Sequence, residues 1–217
     1  MGFLQNWKEK RQAKKAEEEF ARSLSEWKRD MAIIEKLKKV FEAAKNGDSL
    51  VDESMVNAPG EIVLWKGRAQ YHSAVRGAGH YEGGSQGASI RVMKGVSYRV
   101  GAQRGTFVQG AMEQRALDEG AALLTTKRVV FIGPLQTQEW KFSNWLGASA
   151  SENEDDFMFM VSNRKTSSGL LMAPGTGREF NRFLALAIGY VESGVDKVLE
   201  TIYHYEEETK KIEPKKG

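Results

Sequence analysis

Apolar residues recur at alternating spacings of three and four along the first part of the chain, the pattern of an amphipathic α-helix. Neither proline nor glycine interrupts residues 6–46. Asn6 and Glu9 match a capping box, in which each side chain satisfies an orphan backbone donor, and Asn46-Gly47 supplies a helix stop. We therefore predict one long helix over residues 6–46. Its apolar stripe consists of Phe20, Leu24, Trp27, Met31, Ile34 and Phe41.

A stripe of this kind has two common uses. It packs on the protein's own domain, or it joins the helices of two copies in a coiled coil. Lys38 interrupts the heptad pattern, with Leu37 beside it. The sequence leaves both uses open, so the helix is a candidate for docking on the domain and for self-association into a homo-oligomer.

Apolar runs rich in β-branched and aromatic residues follow a linker at residues 47–59. Residues 123–133 contain two strands that flank a polar turn at 125–128, and a third strand is predicted across residues 140–145. Further strand predictions complete a set of about seven antiparallel strands. They cover residues 61–76, a strand pair at 89–100 that bends at Gly95, and residues 106–108, 157–161 and 169–172.

A second amphipathic helix is predicted from residue 177 onward. Thr176 and Glu179 match a capping box at its start, and Gly194 is expected to kink it. The charged tail from Glu206 is expected to fray. The apolar face of this helix consists of Phe180, Phe183, Leu184, Ala187, Tyr190 and Val191.

These elements predict an α+β fold. A long N-terminal helix precedes a roughly seven-stranded antiparallel barrel or sandwich, which the C-terminal helix caps. The predicted divisions are a basic, coiled-coil-like helix at 1–46, a linker at 47–59, a domain at 60–192 that includes its capping helix, and a helical extension with a charged tail at 193–217.

The amino-acid composition limits the kinds of chemical site that the chain can form. The chain has 217 residues, a net charge of +3 and no cysteine, so disulfides, thiolate metal sites and a cysteine nucleophile are excluded. No apolar run approaches the roughly 18 residues that a membrane span needs, and the start of the chain does not read as a secretory signal. We expect a cytoplasmic protein, with attachment to the surface of a membrane as the alternative.

The segment from Gly120 to Gly133 carries a small residue before an apolar strand, a threonine-rich turn with basic residues, and a Val-Phe strand that ends in glycine. With the strand at 140–145, it resembles the bacterial pleckstrin-homology-like and GRAM-type domains, and a bacterial or phage source would fit. The resemblance implies a non-catalytic scaffold that binds lipids, peptides or partner proteins. Lipid-binding members place several basic residues on the loop between their first two strands, whereas residues 77–87 here contain none.

Basic residues at the flanks of this glycine-rich loop are the predicted binding rim. A protein or peptide partner would pair with a sheet edge or lie in a groove beside them. Because Tyr98 and Phe107 lie among these basic residues, a single-strand nucleic-acid groove is an alternative, to which Arg115 would contribute. The rim comprises Arg76, His80, Arg91, Lys94, Arg99 and Arg104.

The N-terminus suggests a further alternative, because apolar and aromatic residues beside a basic run are typical of helices that adsorb to anionic membranes. Glu9 and Glu17 to Glu19 dilute and end this run, as they would in a solvated helix. The candidate anchor residues are Phe3, Leu4, Trp7, Lys8, Lys10, Arg11, Lys14 and Lys15.

Enzymatic function is not indicated. His72, His80 and His204 lack metal-ligand spacing, and the glycine-rich loop precedes a strand where a phosphate-binding loop precedes a helix. The acidic run at residues 152–156 lacks the alternation of a calcium loop. We therefore expect a non-enzymatic recognition protein with no cofactor and no metal, which binds a protein or peptide partner through its barrel.

Overall fold

The chain forms two long helices and one large sheet. In the computed structural model, the backbone is described for residues 2–49, 56–76, 80–81, 89–93, 96–99, 107–108 and 112–216, and the side chains for residue 7 and residues 10–49, 56–74 and 115–216. The helices are α1 (Gly2–Lys45) and α2 (Gly177–Lys211). The strands of the large sheet are β1 (Val63–Arg76), β6 (Met112–Thr125), β7 (Arg128–Ile132), β8 (Thr137–Lys141), β9 (Trp145–Ala150), β10 (Asp156–Val161) and β11 (Ser168–Met172).

Four short strands lie between β1 and β6 in the chain. Strand β2 (His80–Tyr81) pairs with β5 (Phe107–Val108), and β3 (Ser89–Met93) pairs with β4 (Val96–Arg99). The β3–β4 hairpin confirms the strand pair predicted around Gly95. The predicted α+β class, with a long N-terminal helix, seven antiparallel strands and a C-terminal helix, is confirmed.

Strand β1 occupies the centre of the large sheet. The strand order is β8-β7-β6-β1-β11-β10-β9, and each neighbouring pair is antiparallel. Chain neighbours β8 and β9 therefore lie at opposite edges of the sheet. Strands β1 and β6 pair from Val63↔Thr125 out to Arg76↔Met112, so they extend beyond the strands on either side of them.

The sheet curls around an aromatic core. Trp140 contacts Phe159 edge-to-face with ring centroids 4.9 Å apart, and its indole N–H donates to the Ser168 hydroxyl at 3.1 Å. Phe180 of α2 contacts Phe157 at 4.9 Å, so the helix closes the core from one end. Burial of each ring removes a large apolar surface from water, and this burial stabilises the curled sheet.

The second half of α1 belongs to the same core. Ile34 and Phe41 are fully buried, and the Phe41 ring stacks on Phe183 of α2 with centroids 6.3 Å apart. The Trp27 indole N–H donates to the backbone carbonyl of Thr209 at 2.8 Å, which ties α1 to the far end of α2. One hydrophobic cluster thus draws side chains from α1, the sheet and α2.

The predicted helix boundaries are partly correct. Helix α1 begins at Gly2, so Asn6 and Glu9 lie within it and the predicted capping box is wrong. Its end is confirmed: the helix stops at Lys45, and Gly47 takes a φ of +82°, a left-handed conformation that favours glycine.

The capping box predicted at the start of α2 is also wrong. The Thr176 hydroxyl donates to the carbonyl of Ala173 at 2.6 Å and does not cap the helix. The Glu179 carboxylate instead accepts the indole N–H of Trp65 at 2.6 Å and pairs with Lys36. A buried indole N–H requires a hydrogen-bond acceptor. Glu179 therefore bonds to Trp65, which is distant in the chain, and does not cap the start of its own helix.

Two further predictions are wrong because contacts between distant parts of the chain override the local sequence pattern. Residues 140–145 do not form one strand, because a 3-10 turn at Phe142–Asn144 separates β8 from β9 and lets the chain cross between the sheet's edges. The segment from Glu206 does not fray, since α2 continues to Lys211 and Thr209 is buried beneath Trp27. The kink at Gly194 is confirmed, with φ +79° and ψ 170°.

Candidate functional site

The predicted binding rim falls largely outside the described side chains. Arg76 ends β1, and His80, Arg91 and Arg99 belong to β2, β3 and β4. Lys94 and Arg104 lie outside the described residues, as do the side chains of the other four. The rim and the nucleic-acid alternative that shares its residues therefore stay predictions.

The threonine-rich turn between β6 and β7 has a structural role. The Thr125 hydroxyl donates to Glu61 Oε1 at 2.7 Å and accepts the backbone N–H groups of Lys127 and Arg128 at 3.0 and 2.9 Å. Thr126 Oγ1 accepts the N–H of Ile62 at 3.1 Å. These bonds fix the turn against the segment that leads into β1.

A buried ion pair completes this arrangement. Arg128 contacts both Glu61 oxygens, with Nε 2.8 Å from Oε1 and Nη2 3.0 Å from Oε2, and its Nη1 lies 2.5 Å from Glu139 Oε2. The side chain of Glu61 is 0% exposed. Burial alone would raise the pKa of Glu61, but hydrogen bonds from Arg128, the Ala58 N–H and Thr125 lower it below its usual value. Glu61 is therefore a buried carboxylate held in its charged form.

A groove opens beside this turn. Its volume is about 540 Å³, and it lies between the β6–β7 turn, the 3-10 turn and α2. Phe142, Tyr190 and Val191 supply apolar surface, while the cations of Lys127 and Lys141 lie at its rim. Lys127 Nζ donates to the Pro59 carbonyl at 2.6 Å, and Lys141 Nζ lies 3.1 Å from Glu139. An apolar surface with a cationic rim suits an apolar side chain that has an acidic neighbour.

The two edges of the large sheet differ. At β8, the guanidinium of Arg164 donates to the Glu139 carbonyl at 2.8 Å and lies 5.4 Å from the Trp140 ring centroid. The bond to Glu139 comes from Nη2 of Arg164, and Nη1 donates to the Ser168 hydroxyl at 3.2 Å. Arg164 thus covers the β8 edge with a charged side chain, a common protection against pairing with another strand.

Strand β9 forms the other edge, where it pairs only with β10 within the described part of the chain. Its sequence, Trp-Leu-Gly-Ala-Ser-Ala, contains no charged residue and no proline. Natural edge strands usually carry such residues because they block pairing with other chains. Strand β9 is therefore a six-residue edge without the usual protection.

The hydrogen-bond pattern shows which groups of β9 face outward. The N–H of Ser151 donates to the carbonyl of Asp156 at 2.8 Å, so these two residues form a bonded pair. Bonded pairs alternate along an antiparallel ladder, and the next one joins Ser149 to Met158. Ala148 and Ala150 therefore direct their N–H and C=O groups away from β10.

The groove and the β9 edge adjoin each other. The Phe142 ring of the groove contacts the ring of Trp145, the first residue of β9, with centroids 5.4 Å apart. Leu146 follows as a bulge, since Val161 pairs with Trp145 and Met160 with Gly147, and its side chain is 70% exposed. A segment that paired with β9 could therefore also reach the groove.

The candidate self-association stripe divides along α1. Ile34 and Phe41 are buried in the protein's own core, whereas Phe20, Leu24, Trp27 and Met31 are half-buried. For Ile34 and Phe41, packing on the domain is the use that the contacts bear out.

The candidate anchor residues all belong to the start of α1. Trp7 is 55% exposed, and the guanidinium of Arg11 lies 5.3 Å from its ring centroid. Lys10, Lys14 and Lys15 are exposed. The side chains of Phe3, Leu4 and Lys8 lie outside the described residues.

Among the described residues, no group of three or more potential metal ligands is close enough to hold an ion. Within the same residues, no helix is long and apolar enough to cross a membrane. His72 is buried in β1, and its Nε2 lies 2.7 Å from Asp156 Oδ1.

Sequence reasoning missed the β9 edge and the groove. The signal for the edge was present, because residues 145–150 form an uncharged run of mostly small residues. No signal could have identified the groove, since its residues come from four separate segments of the chain. No protein-family model, curated protein or solved structure matches the chain.

Proposed function

We propose that the protein is a non-catalytic recognition module that binds an extended segment of a partner protein. The segment adds as a further strand to β9. The observation that carries this proposal is the β9 edge, which is uncharged and has a single partner strand in the described part of the chain. In this mode of binding, main-chain hydrogen bonds provide affinity and side-chain pockets provide specificity.

The backbone of β9 supplies the first part of the interaction. Ala148 and Ala150 each offer one N–H and one C=O on the outward side, and the small side chains of this stretch let another backbone approach closely. The opposite edge is covered by Arg164, so the sheet extends on one side only.

The groove supplies the second part. An apolar side chain of the bound segment packs against Phe142, Tyr190 and Val191, and an acidic neighbour pairs with Lys127 or Lys141. The preferred partner is therefore an uncharged, β-prone stretch that ends near an acidic residue.

The resemblance to pleckstrin-homology-like and GRAM-type domains supports the same proposal. The seven-stranded sheet and the capping position of α2 are the architecture that the resemblance leads us to expect. Peptides and partner proteins are among the ligands that it implies.

The proposal is tested with a random-peptide phage library selected on the full chain. Ala150→Pro removes an outward N–H and places a ring where the added strand would lie, while an edge position tolerates proline. We expect it to weaken the binding of selected peptides by about tenfold or more, since one lost hydrogen bond and a steric clash exceed 1.4 kcal/mol. Ala150→Ser keeps the N–H and should bind normally. Equal binding by both variants would contradict the proposal.

We also propose a second candidate function, peripheral attachment to a membrane through the start of α1. The observation in its favour is the exposed Trp7 beside exposed basic side chains, on a stretch of helix that lies outside the core. This attachment would place the recognition module at a membrane surface.

A further inference from the structure

The first part of α1 stands apart from the rest of the molecule. Every residue from Lys10 to Glu19 is exposed, and burial against the domain begins at Phe20. At about 1.5 Å per residue, the stretch before Phe20 is roughly 27 Å long. We refer to this stretch, residues 2–19, as the N-terminal arm. Near its inner end, Glu17 lies 3.8 Å from Lys216.

Charge and apolar character are unevenly distributed along the arm. Its outer end carries Phe3, Leu4 and Trp7, and positions 3, 7, 11 and 14 fall on one side of the helix. Five basic residues follow before the acidic run at 17–19, with Glu9 as the one acidic residue among them. The arm thus has an apolar tip, a basic middle and an acidic base.

The ion pairs on the arm show which of its basic side chains already have an acidic partner. Lys14 and Lys15 lie 3.8 and 3.9 Å from Glu18 and Glu19, at the base of the arm. No carboxylate in the described part of the chain pairs with Lys10 or Arg11. These two cations, next to the exposed Trp7, are the charges most available to an anionic surface.

Tryptophan and arginine side chains suit the boundary between water and lipid. An indole ring has an apolar body with a polar N–H, and a long basic side chain can bury its stem while its charge stays among headgroups. The contact of Arg11 with the Trp7 ring at 5.3 Å holds these two groups together at the tip of the arm.

We infer that the arm binds the surface of an anionic lipid bilayer. The residues around Trp7 insert at the interface, the basic middle pairs with anionic headgroups, and the acidic run at 17–19 marks the end of the adsorbed segment. The inference rests on the second candidate function and specifies its lipid partner.

The test uses flotation of the full chain with two kinds of vesicle, pure phosphatidylcholine and equal parts phosphatidylcholine and phosphatidylserine, at low and high salt. We expect flotation with the mixed vesicles at low salt only, because salt screens exposed charges. The double variant Lys10→Gln with Arg11→Gln should lower partitioning by about tenfold or more, since each basic residue near an anionic surface contributes severalfold. Glutamine is a good helix former, and neither substitution breaks an ion pair with a described carboxylate.

Trp7→Ala should lower partitioning as well, because it removes the apolar contact with the interface. Matched controls are Lys165→Gln, which removes an exposed charge elsewhere, and Leu135→Ala, which removes an apolar side chain that is 78% exposed. Neither control should alter flotation. Circular dichroism checks that each variant keeps its helices.

The outcomes separate the inference from the function on which it rests. Equal flotation with both kinds of vesicle would support membrane attachment but overturn the choice of anionic lipid. Flotation that the arm variants do not reduce would overturn the role of the arm. If the full chain floats with neither vesicle, membrane attachment and this inference both fail, while peptide binding at β9 is unaffected.

Discussion

At the residue scale, Glu61 and Arg128 join the β6–β7 turn to the start of β1. The Glu61 carboxylate accepts from Arg128, Thr125 and the Ala58 N–H, and its side chain has no exposed surface. Removing one partner of a buried ion pair leaves the other charge without compensation, which costs far more than the net value of the pair.

We predict that Arg128→Met lowers the free energy of unfolding by about 3 kcal/mol or more, because Glu61 is left as a buried, unpaired charge. Urea denaturation measures the change. Lys127→Met is the matched control, since Lys127 is exposed on the same turn, and its cost should be below about 1 kcal/mol. Similar losses in both variants would contradict a special role for the ion pair.

The pKa of the Glu61 carboxylate leads to a prediction of how the unfolding free energy depends on pH. Burial raises and hydrogen bonding from Arg128 lowers the pKa of Glu61, and the net change is downward from its ordinary value of 4.5. A lowered pKa means that the unfolded chain binds the proton more readily. The contribution of Glu61 is therefore present above pH 4.5 and is lost as the pH falls through the lowered pKa.

We expect the unfolding free energy of the natural sequence to fall more steeply below pH 4.5 than that of Glu61→Gln, which has no proton to gain at this position. Denaturation at a series of pH values gives both slopes. Parallel slopes for the two proteins would show that Glu61 does not carry this dependence.

At the element scale, α1 is part of the core as well as an extension from it. Phe41 stacks on Phe183, and Ile34 and Leu37 are buried in the same cluster. Removal of the whole helix would expose this cluster. Point variants of the intact chain are therefore the appropriate probes of the N-terminal arm.

Substitutions along α1 should have graded effects. We predict that Phe41→Ala costs about 3 to 5 kcal/mol of unfolding free energy, because it leaves a cavity in the core. Leu24→Ala should cost less, since Leu24 is half-buried. Urea denaturation at several protein concentrations makes the comparison. Equal costs would contradict the greater role of Phe41 in the core, and a midpoint that rises with protein concentration for the natural sequence but not for Phe41→Ala would indicate that this position packs against a second copy.

Periodicity and turn residues predicted the elements well but not the contacts between them. The heptad stripe identified α1, and Asn46-Gly47 identified its end. The strand break at Phe142–Asn144 and the role of Glu179 could not be read from local sequence. Glu179 satisfies Trp65, which is 114 residues away in the chain, and no local pattern encodes such a partner.

At the scale of the whole molecule, the proposed functions concern two surfaces of the described part of the chain. One is the β9 edge with its adjoining groove, and the other is the N-terminal arm. The candidate anchor residues of the arm could be named from the sequence because they are contiguous in the chain. The edge was not predicted, because its exposure depends on strand order: β9 follows β8 in the chain but lies across the sheet from it.

Hydrogen exchange at the β9 amides tests strand addition most directly. The full chain is measured alone and with a peptide from the phage selection. We predict that the amides of Ala148 and Ala150, which face away from β10, exchange much more slowly in the complex. The amide of Ser149, already bonded to β10, should change less. Unchanged exchange at Ala148 and Ala150 in a saturated complex would contradict partner binding at this edge.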